Sequence, residues 1–391
     1  MKRIVIYDDE AHVGERYAER LRRLDLVNRN FHVESMSTKE FIKEIRVCDF
    51  RLSRTRRGED WKDDKLALDE ASIFIIDFDL LKTFGSVMTG ENVAYLVRCF
   101  SRCGLIIGLN QFGQNTFDLT LRGNPRSYCD LNLGSSHLDN IGLWGGSAKA
   151  YRPWYWPSLP DYSASFQEKI DDITRHLDDS IAELLGFKNV INVFPRSASE
   201  FLGDKPTETT PRKFVVESGN GLRSKDRQNV TDEMIARIAA ARLSKWLERL
   251  VLPGQDILID APHLVYRYPS LLIGDHRNVT TWNKTVQLAS DKLNLNHKII
   301  ADFRFQKGYW LSRAAWFWKG ISECQSIEEV ANPWKKKVTD YVFCEDSSKF
   351  FRRKYCLEFV SEVDSPYVQR FIRRHKGVRY RPEFRLFALK R

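Results

Sequence analysis

The chain has 391 residues and a net charge of +10; 42% of its residues are hydrophobic, too many for an intrinsically disordered protein. This length exceeds the usual size of a single hydrophobic core, so two domains are expected. No apolar run could span a bilayer, and the start lacks the apolar segment of a signal peptide, which predicts a cytoplasmic protein without membrane association. The seven cysteines contain no CxxC pair, which predicts that the protein has neither a disulfide framework nor structural zinc.

The first part of the chain alternates between apolar strand-like runs and amphipathic helix-like segments. This rhythm predicts a doubly wound parallel α/β sheet, in which strands buried on both faces read as continuous Val/Ile/Leu runs. The predicted strands are residues 1–7, 31–36, 72–77 and 104–110, and the predicted helices are residues 11–26, a helix from Ser37, and residues 89–102.

Two of the predicted strands end abruptly in carboxylates. The run IVIY is followed by Asp8 and Asp9, and the run IFII is followed by Asp77. Ligands of open α/β sheets bind beyond the carboxyl ends of the strands, so these three side chains are expected in one pocket. Clustered carboxylates repel one another unless a hard cation lies among them, which predicts a Mg²⁺ site.

Residues 1–110 resemble a response-regulator receiver domain of two-component signalling. The motif IVIYDDE is similar to that family's first strand with its acidic pair, IFIIDFDLL to its third strand, and TGENVAYLVR to the helix that follows. The resemblance implies a flavodoxin-like fold, a bacterial source and a histidine kinase as partner. It also implies that Asp8 and Asp9 bind Mg²⁺ and that Asp77 accepts a phosphoryl group.

Two positions depart from the receiver pattern. The family has Thr or Ser at the end of the fourth strand, where this chain has Asn110. It has Lys, usually followed by Pro, at the end of the fifth strand, whereas the nearest candidate here is Lys149, followed by Ala150 and well past the expected spacing. Asn110 and Lys149 are therefore the switch candidates, and a pseudo-receiver that is not phosphorylated remains an alternative.

The same strand also fits an aspartate-based phosphatase of the haloacid-dehalogenase type. In that reading Asp77 is the nucleophile and Asp79 the general acid, although Leu81 stands where those enzymes usually have Thr or Val. The acidic pair Asp8 and Asp9 does not belong to the phosphatase pattern. The receiver interpretation is therefore favoured.

The predicted domain organisation is a receiver-like domain over residues 1–150 and a mixed α/β basic domain over residues 151–391. Residues 47–70 are predicted to be a charged insertion, since residues 51–65 show no apolar period. Residues 204–229 are rich in Pro, Thr, Gly and charge, which favours a loop that is mobile. A helix is expected after Thr231, a plausible N-cap.

The positive charge is concentrated at the end of the chain. Residues 335–391 contain sixteen Lys and Arg against seven Asp and Glu, interleaved with aromatic residues, which favours a nucleic acid or a protein as partner. A helix is predicted over residues 367–374, with its arginines at one-turn spacing. The candidate contact residues are Lys335, Lys336, Lys337, Arg352, Arg353, Arg370, Arg373 and Arg374.

A metal-dependent nuclease in the second domain is the remaining alternative. Asp260 ends another apolar strand and is followed by His263, Asp275 and His276, residue types that bind metal ions, but without a complete spacing motif. Taken together, the sequence predicts a regulatory protein that couples a Mg²⁺-binding acidic pocket to a basic domain. A hydrolase is the alternative.

Overall fold

The protein is described by a computed structural model. The described residues are 2–61, 65–84, 88–110, 116–117, 126–135, 138–139, 141–144, 159–252, 255, 257–260, 305, 307, 310–311, 315–319, 341–344, 349–359, 370–373 and 379–380.

A parallel sheet of five strands organises the first part of the chain. Its strand order is β2-β1-β3-β4-β6, which is the 2-1-3-4-5 order of flavodoxin-like folds, and all four pairings are parallel. The predicted α/β class is therefore confirmed. The strands of this region are β1 (Lys2–Tyr7), β2 (Phe31–Ser35), β3 (Ala71–Asp77), β4 (Leu105–Asn110), the short β5 (Thr116–Phe117) and β6 (Leu131–Gly134).

Helices cover both faces of this sheet because side chains alternate along each strand. Ile4 and Ile6 of β1 pack with α1, whereas Val5 and Tyr7 pack with α3 and α5. The predicted start at Ser37 is confirmed by a capping box with Glu40. The helices of this region are α1 (Ala11–Arg22), α2 (Asp25–Asn30), α3 (Thr38–Arg57), α4 (Leu81–Phe84) and α5 (Gly90–Phe100).

The charged segment predicted as an insertion over residues 47–70 is largely built into the domain. Helix α3 continues to Arg57 and ends at Gly58, whose φ of 74° suits a glycine. Arg51 is fully buried, donates to both carboxylate oxygens of Asp69 at 2.9 and 2.6 Å, and lies over the ring of Trp61. Hydrophobic periodicity does not reveal this arrangement, because a buried ion pair satisfies charges that periodicity counts as solvated.

The second half of the chain begins with helices that pack directly onto the first. One hydrophobic core joins Phe74 of β3 and Val97 of α5 to Ile170 of α6 and Ile238 of α10, so it is continuous across the boundary predicted near residue 150. These helices are α6 (Leu159–Arg175), α7 (Ile181–Leu184), α8 (Arg196–Leu202), α9 (Pro211–Glu217) and α10 (Asp232–Trp246), which continues as a π-helical turn, Leu247–Val251.

Residues 204–229, predicted as a mobile loop, contain α9 and bury Phe214, Val215 and Leu222. The loop-like composition of this segment does not reveal these buried contacts. The expected cap of α10 is confirmed, since Thr231 Oγ1 accepts a hydrogen bond from the backbone N–H of Met234 at 3.3 Å. Among the helices described, none combines the length and the apolar character needed to cross a bilayer.

The end of the chain contains strands where a helix was predicted. Residues 370–373 form β12, so the helix expected over residues 367–374 is wrong. A four-stranded sheet has the order β10-β9-β12-β11. The strands are β7 (Leu258–Asp260), β8 (Ala315–Phe317), β9 (Tyr341–Cys344), β10 (Lys349–Arg352), β11 (Cys356–Phe359), β12 (Arg370–Arg373) and β13 (Arg379–Tyr380).

Candidate metal centre

The three predicted carboxylates meet at the carboxyl edge of the parallel sheet. Asp77 is the last residue of β3, and Asp8 and Asp9 directly follow β1, the neighbouring strand, with Tyr7 paired to Ile76. One carboxylate oxygen from each residue lies within 4.8 Å of those of the other two. The strand order thus brings together residues that are far apart in the sequence.

These three residues, Asp8, Asp9 and Asp77, are called the acidic triad. Asp8 gives the strongest evidence that the triad binds a ligand. It is only 3% exposed, and its Oδ1 accepts a hydrogen bond from the backbone N–H of Glu10 at 2.9 Å. Its Oδ2 is buried and has no hydrogen-bond partner among the described residues. A buried carboxylate oxygen without a partner costs free energy, which points to a ligand at this position.

Burial and repulsion raise the pKa values of two members of the triad, Asp77 and Asp8. The pKa of Asp77 is raised to about 7, first by its burial and then by the charges of Asp8 and Asp9, while a backbone hydrogen bond from Phe78 opposes the shift. Burial also raises the pKa of Asp8, against the backbone hydrogen bond from Glu10. A divalent cation among the three would offset both causes.

The donor set fits Mg²⁺. Carboxylate oxygens are its preferred protein ligands, and two oxygens on one ion lie at most about 4.2 Å apart, twice a bond length of about 2.1 Å. Because the three oxygens already lie within 4.8 Å of one another, small side-chain rotations suffice to bring them into range.

Two glycines allow helices to approach the triad closely. A Cβ on Gly90, the first residue of α5, would lie 2.4 Å from the carbonyl oxygen of Asp77, and one on Gly14 of α1 would lie 2.8 Å from Ser35 Oγ. The backbone N–H of Gly90 also donates to the carbonyl of Phe78 at 3.0 Å. Any larger side chain at residue 90 would displace the end of β3, which carries Asp77.

Sequence reasoning missed the residues that border the triad. The backbone N–H of Lys82 donates to Asp9 Oδ2 at 2.7 Å, and its ammonium group pairs with Glu10. The hydroxyl of Tyr7 shares a hydrogen bond with Thr83 Oγ1 at 2.6 Å. The sequence offered one signal, since Lys82 follows shortly after the acidic end of β3 and Glu10 directly follows Asp9.

The structure describes one of the two switch candidates, Asn110, but not the other, Lys149. Asn110 ends β4, which pairs with β3, so residue 110 belongs to the same edge of the sheet as Asp77. Lys149 lies outside the described residues. The fifth strand of the sheet, β6, ends at Gly134 and is followed by Ser135 rather than by a lysine.

Asp79, the general acid of the phosphatase alternative, does not belong to the triad. Asp79 is exposed and lies beyond the end of β3, whereas Asp77 is buried. Asp260 ends β7, and its proposed companions His263, Asp275 and His276 lie outside the described residues. The described residues contain a single cluster of three potential metal ligands, which is the triad.

The structure describes some of the residues of the predicted basic surface. Arg352 and Arg353 are exposed at the end of β10, beside the exposed Lys354 and Tyr355. The guanidinium of Arg353 lies over the ring of Phe371 in β12 at 5.2 Å. Arg370 and Arg373 belong to β12, while Lys335, Lys336, Lys337 and Arg374 lie outside the described residues.

Comparisons of the chain with protein-family models, with curated proteins and with solved structures found no match. The receiver resemblance therefore depends on the acidic motifs and on the strand order of the sheet. The functional argument depends on the triad itself.

Proposed function

We propose that this chain is a regulatory protein with a receiver-like domain, which binds Mg²⁺ at Asp8, Asp9 and Asp77 and accepts a phosphoryl group on Asp77. A histidine kinase is the expected donor. The observation that carries the proposal is the convergence of three carboxylates at one sheet edge, where a buried oxygen of Asp8 has no hydrogen-bond partner in the part of the chain that the structure describes. A solely structural acidic cluster would leave that oxygen hydrogen-bonded.

The chemistry follows from the position of Asp77. Its ionised carboxylate oxygen attacks the phosphorus atom of the donor, and the bond from phosphorus to the leaving group breaks, with the electron pair departing on that group. When bound, Mg²⁺ supplies the positive charge that allows a carboxylate and a phosphoryl group to approach. Asp8 and Asp9 hold that charge beside Asp77, and the burial of Asp77 limits the access of water.

Labelling by acetyl phosphate tests this proposal. Wild-type protein should become phosphorylated in Mg²⁺ and remain unlabelled in EDTA, and Asp77→Asn should abolish the label because the amide is not a competent nucleophile. Intact-mass spectrometry measures the label, and isothermal titration measures Mg²⁺ binding. Wild-type protein that binds Mg²⁺ without becoming labelled would identify a pseudo-receiver, and protein that does neither would refute the acidic pocket.

The variant Asp79→Asn separates a phosphoryl acceptor from a phosphatase. We expect it to be labelled at close to the wild-type rate, since Asp79 is exposed and outside the triad. Neither protein should turn over a phosphomonoester such as p-nitrophenyl phosphate. Steady turnover that Asp79→Asn stops, in a variant with an unchanged circular-dichroism spectrum, would replace the receiver interpretation with the phosphatase.

We further propose that the basic C-terminal region binds nucleic acid through phosphates. The supporting observation is the exposed run Arg352, Arg353 and Lys354, followed by Tyr355, whose side chain is 55% exposed and offers a stacking surface. Phosphate contacts give affinity with little sequence preference. A protein partner with an acidic surface is the competing outcome.

Replacing Arg352, Arg353 and Lys354 by Ala together should weaken binding to single-stranded DNA and RNA. Each lost phosphate contact should also reduce the slope of log affinity against log salt by about one. Fluorescence anisotropy over a salt series measures both. The control replaces the exposed Arg23, Arg29 and Arg196, which removes the same charge elsewhere. Equal effects of the two triple variants would mean that only net charge matters.

A further inference from the structure

The acidic triad has a bordering group of opposite charge. The ammonium group of Lys82 pairs with Glu10 Oε1, and Nε2 of His12 lies 3.5 Å from Glu10 Oε2. Glu10 directly follows Asp9 but does not belong to the triad. The pocket therefore has an interior suited to a cation and, at its border, a lysine ammonium paired with Glu10.

Lys82 is held beside Asp9 by its backbone, and its long side chain is exposed. Its backbone N–H donates to Asp9 Oδ2 at 2.7 Å, and the next residue, Thr83, shares a hydrogen bond with Tyr7 at 2.6 Å. Its side chain is 65% exposed. An exposed lysine ammonium is charged at neutral pH, and this one pairs with Glu10.

Charge balance shows what such a lysine could do. Asp8 and Asp9 contribute two negative charges, and a phosphoryl group adds between about −1.5 and −2 at neutral pH. A Mg²⁺ ion cancels only about half of that total, so the phosphorylated site lacks positive charge. Lys82 is placed to supply that charge, because its backbone N–H already donates to Asp9 Oδ2 of the triad at 2.7 Å.

We propose that Lys82 contacts the phosphoryl group carried by Asp77, and that Glu10 is the counter-ion it leaves to do so. This inference rests on the proposed function. In the step itself, a carboxylate oxygen of Asp77 forms a bond to phosphorus, the bond from phosphorus to the acetate oxygen breaks, and acetate leaves with the electron pair. Lys82 donates hydrogen bonds to the phosphoryl oxygens and transfers no proton.

The test uses full-length protein, acetyl phosphate and Mg²⁺. Lys82→Gln should slow the labelling of Asp77 roughly 10- to 100-fold, which is the change in rate expected when a hydrogen bond to a charged group is lost. Its Mg²⁺ affinity should stay near the wild-type value, because the backbone N–H that donates to Asp9 remains. Lys82→Arg should restore most of the rate, and Glu10→Gln should raise it roughly two- to fivefold by releasing the lysine. Lys188→Gln, which breaks an exposed Lys–Glu pair elsewhere, is the matched control.

The outcomes separate this inference from the proposed function. If wild-type protein and Lys82→Gln are labelled at the same rate, Lys82 makes no such contact, and the acceptor role of Asp77 stands. If Lys82→Gln loses Mg²⁺ affinity together with labelling, the lysine maintains the pocket and the inference is also wrong. If wild-type protein binds Mg²⁺ but is never labelled, the proposed function fails and this inference fails with it.

Discussion

The apparent affinity of the wild-type protein for Mg²⁺ should fall about tenfold for each pH unit below 7, as one bound proton competes with the metal. The reason is that burial and the charges of Asp8 and Asp9 raise the pKa of Asp77 to about 7. A protonated carboxyl group cannot serve as a ligand. Isothermal titration from pH 5.5 to 8.5 measures the slope, and Asp77→Asn should bind more weakly with a flatter pH dependence.

Without metal, the raised pKa of Asp77 should make the folded protein less stable as pH rises. The folded chain keeps a proton on Asp77 that the unfolded chain releases near the ordinary pKa of 3.8. The stability from this proton is therefore complete below 3.8 and is lost as pH rises to about 7. Asp77→Asn removes the buried negative charge, so in EDTA at pH 8 its Tm should exceed that of the wild type.

The matched control for both measurements is Asp25→Asn, an exposed aspartate on α2. It should reproduce the wild-type Tm and Mg²⁺ affinity at every pH. A wild-type Mg²⁺ affinity that does not change between pH 6 and 8 would contradict the raised pKa of Asp77. A Tm of Asp77→Asn below the wild-type value at pH 8 in EDTA would contradict the repulsion within the triad.

Asp130→Ala should lower the free energy of unfolding by about 3–5 kcal/mol, the usual cost of leaving a buried charge without its partner. Asp130 is 4% exposed and pairs with Arg98 of α5, which is 2% exposed. Asp130 Oδ2 also accepts the backbone N–H of Ile106 at 2.7 Å. One carboxylate therefore joins α5, β4 and the segment that leads into β6.

Urea denaturation followed by tryptophan fluorescence measures this loss. Asp130→Asn is the informative second variant, because it keeps an oxygen for Ile106 and removes only the charge that Arg98 requires. The control is Asp178→Ala, which breaks the exposed pair with Arg212 and should leave the midpoint close to wild type. If Asp130→Ala behaves like Asp178→Ala, the pair with Arg98 does not hold these elements together.

The sequence by itself determined the class of the fold and the place of its site. Strands such as β1 and β3 consist of continuous apolar residues, a pattern that a buried parallel strand requires and that is readable locally. The carboxylates at their ends had to meet once the strands were neighbours. Local capping chemistry at Ser37 and Thr231 was also readable, since a cap depends on residues three positions apart.

Only the tertiary structure decided how charged residues are used. Arg51 looked solvated in the sequence, yet Asp69 and Trp61 surround it, and both contacts come from segments that periodicity does not connect. The role of Lys82 likewise depends on β1 lying beside the end of β3. Residues 370–373 form a strand because β11 and β9 pair with them, which overrides their helical spacing.

The physical reason for this division is the range of the interactions. Hydrophobic alternation and helix caps act between residues close in sequence, so the sequence carries them directly. The burial of a charge, the pKa of Asp77 and the pairing of strands depend on neighbours distant in the chain, which only the fold brings into contact. The sequence therefore placed the carboxylates at one edge of the sheet, and the tertiary structure determined the burial of Asp8 and Asp77, the raised pKa of Asp77 and the lysine beside them.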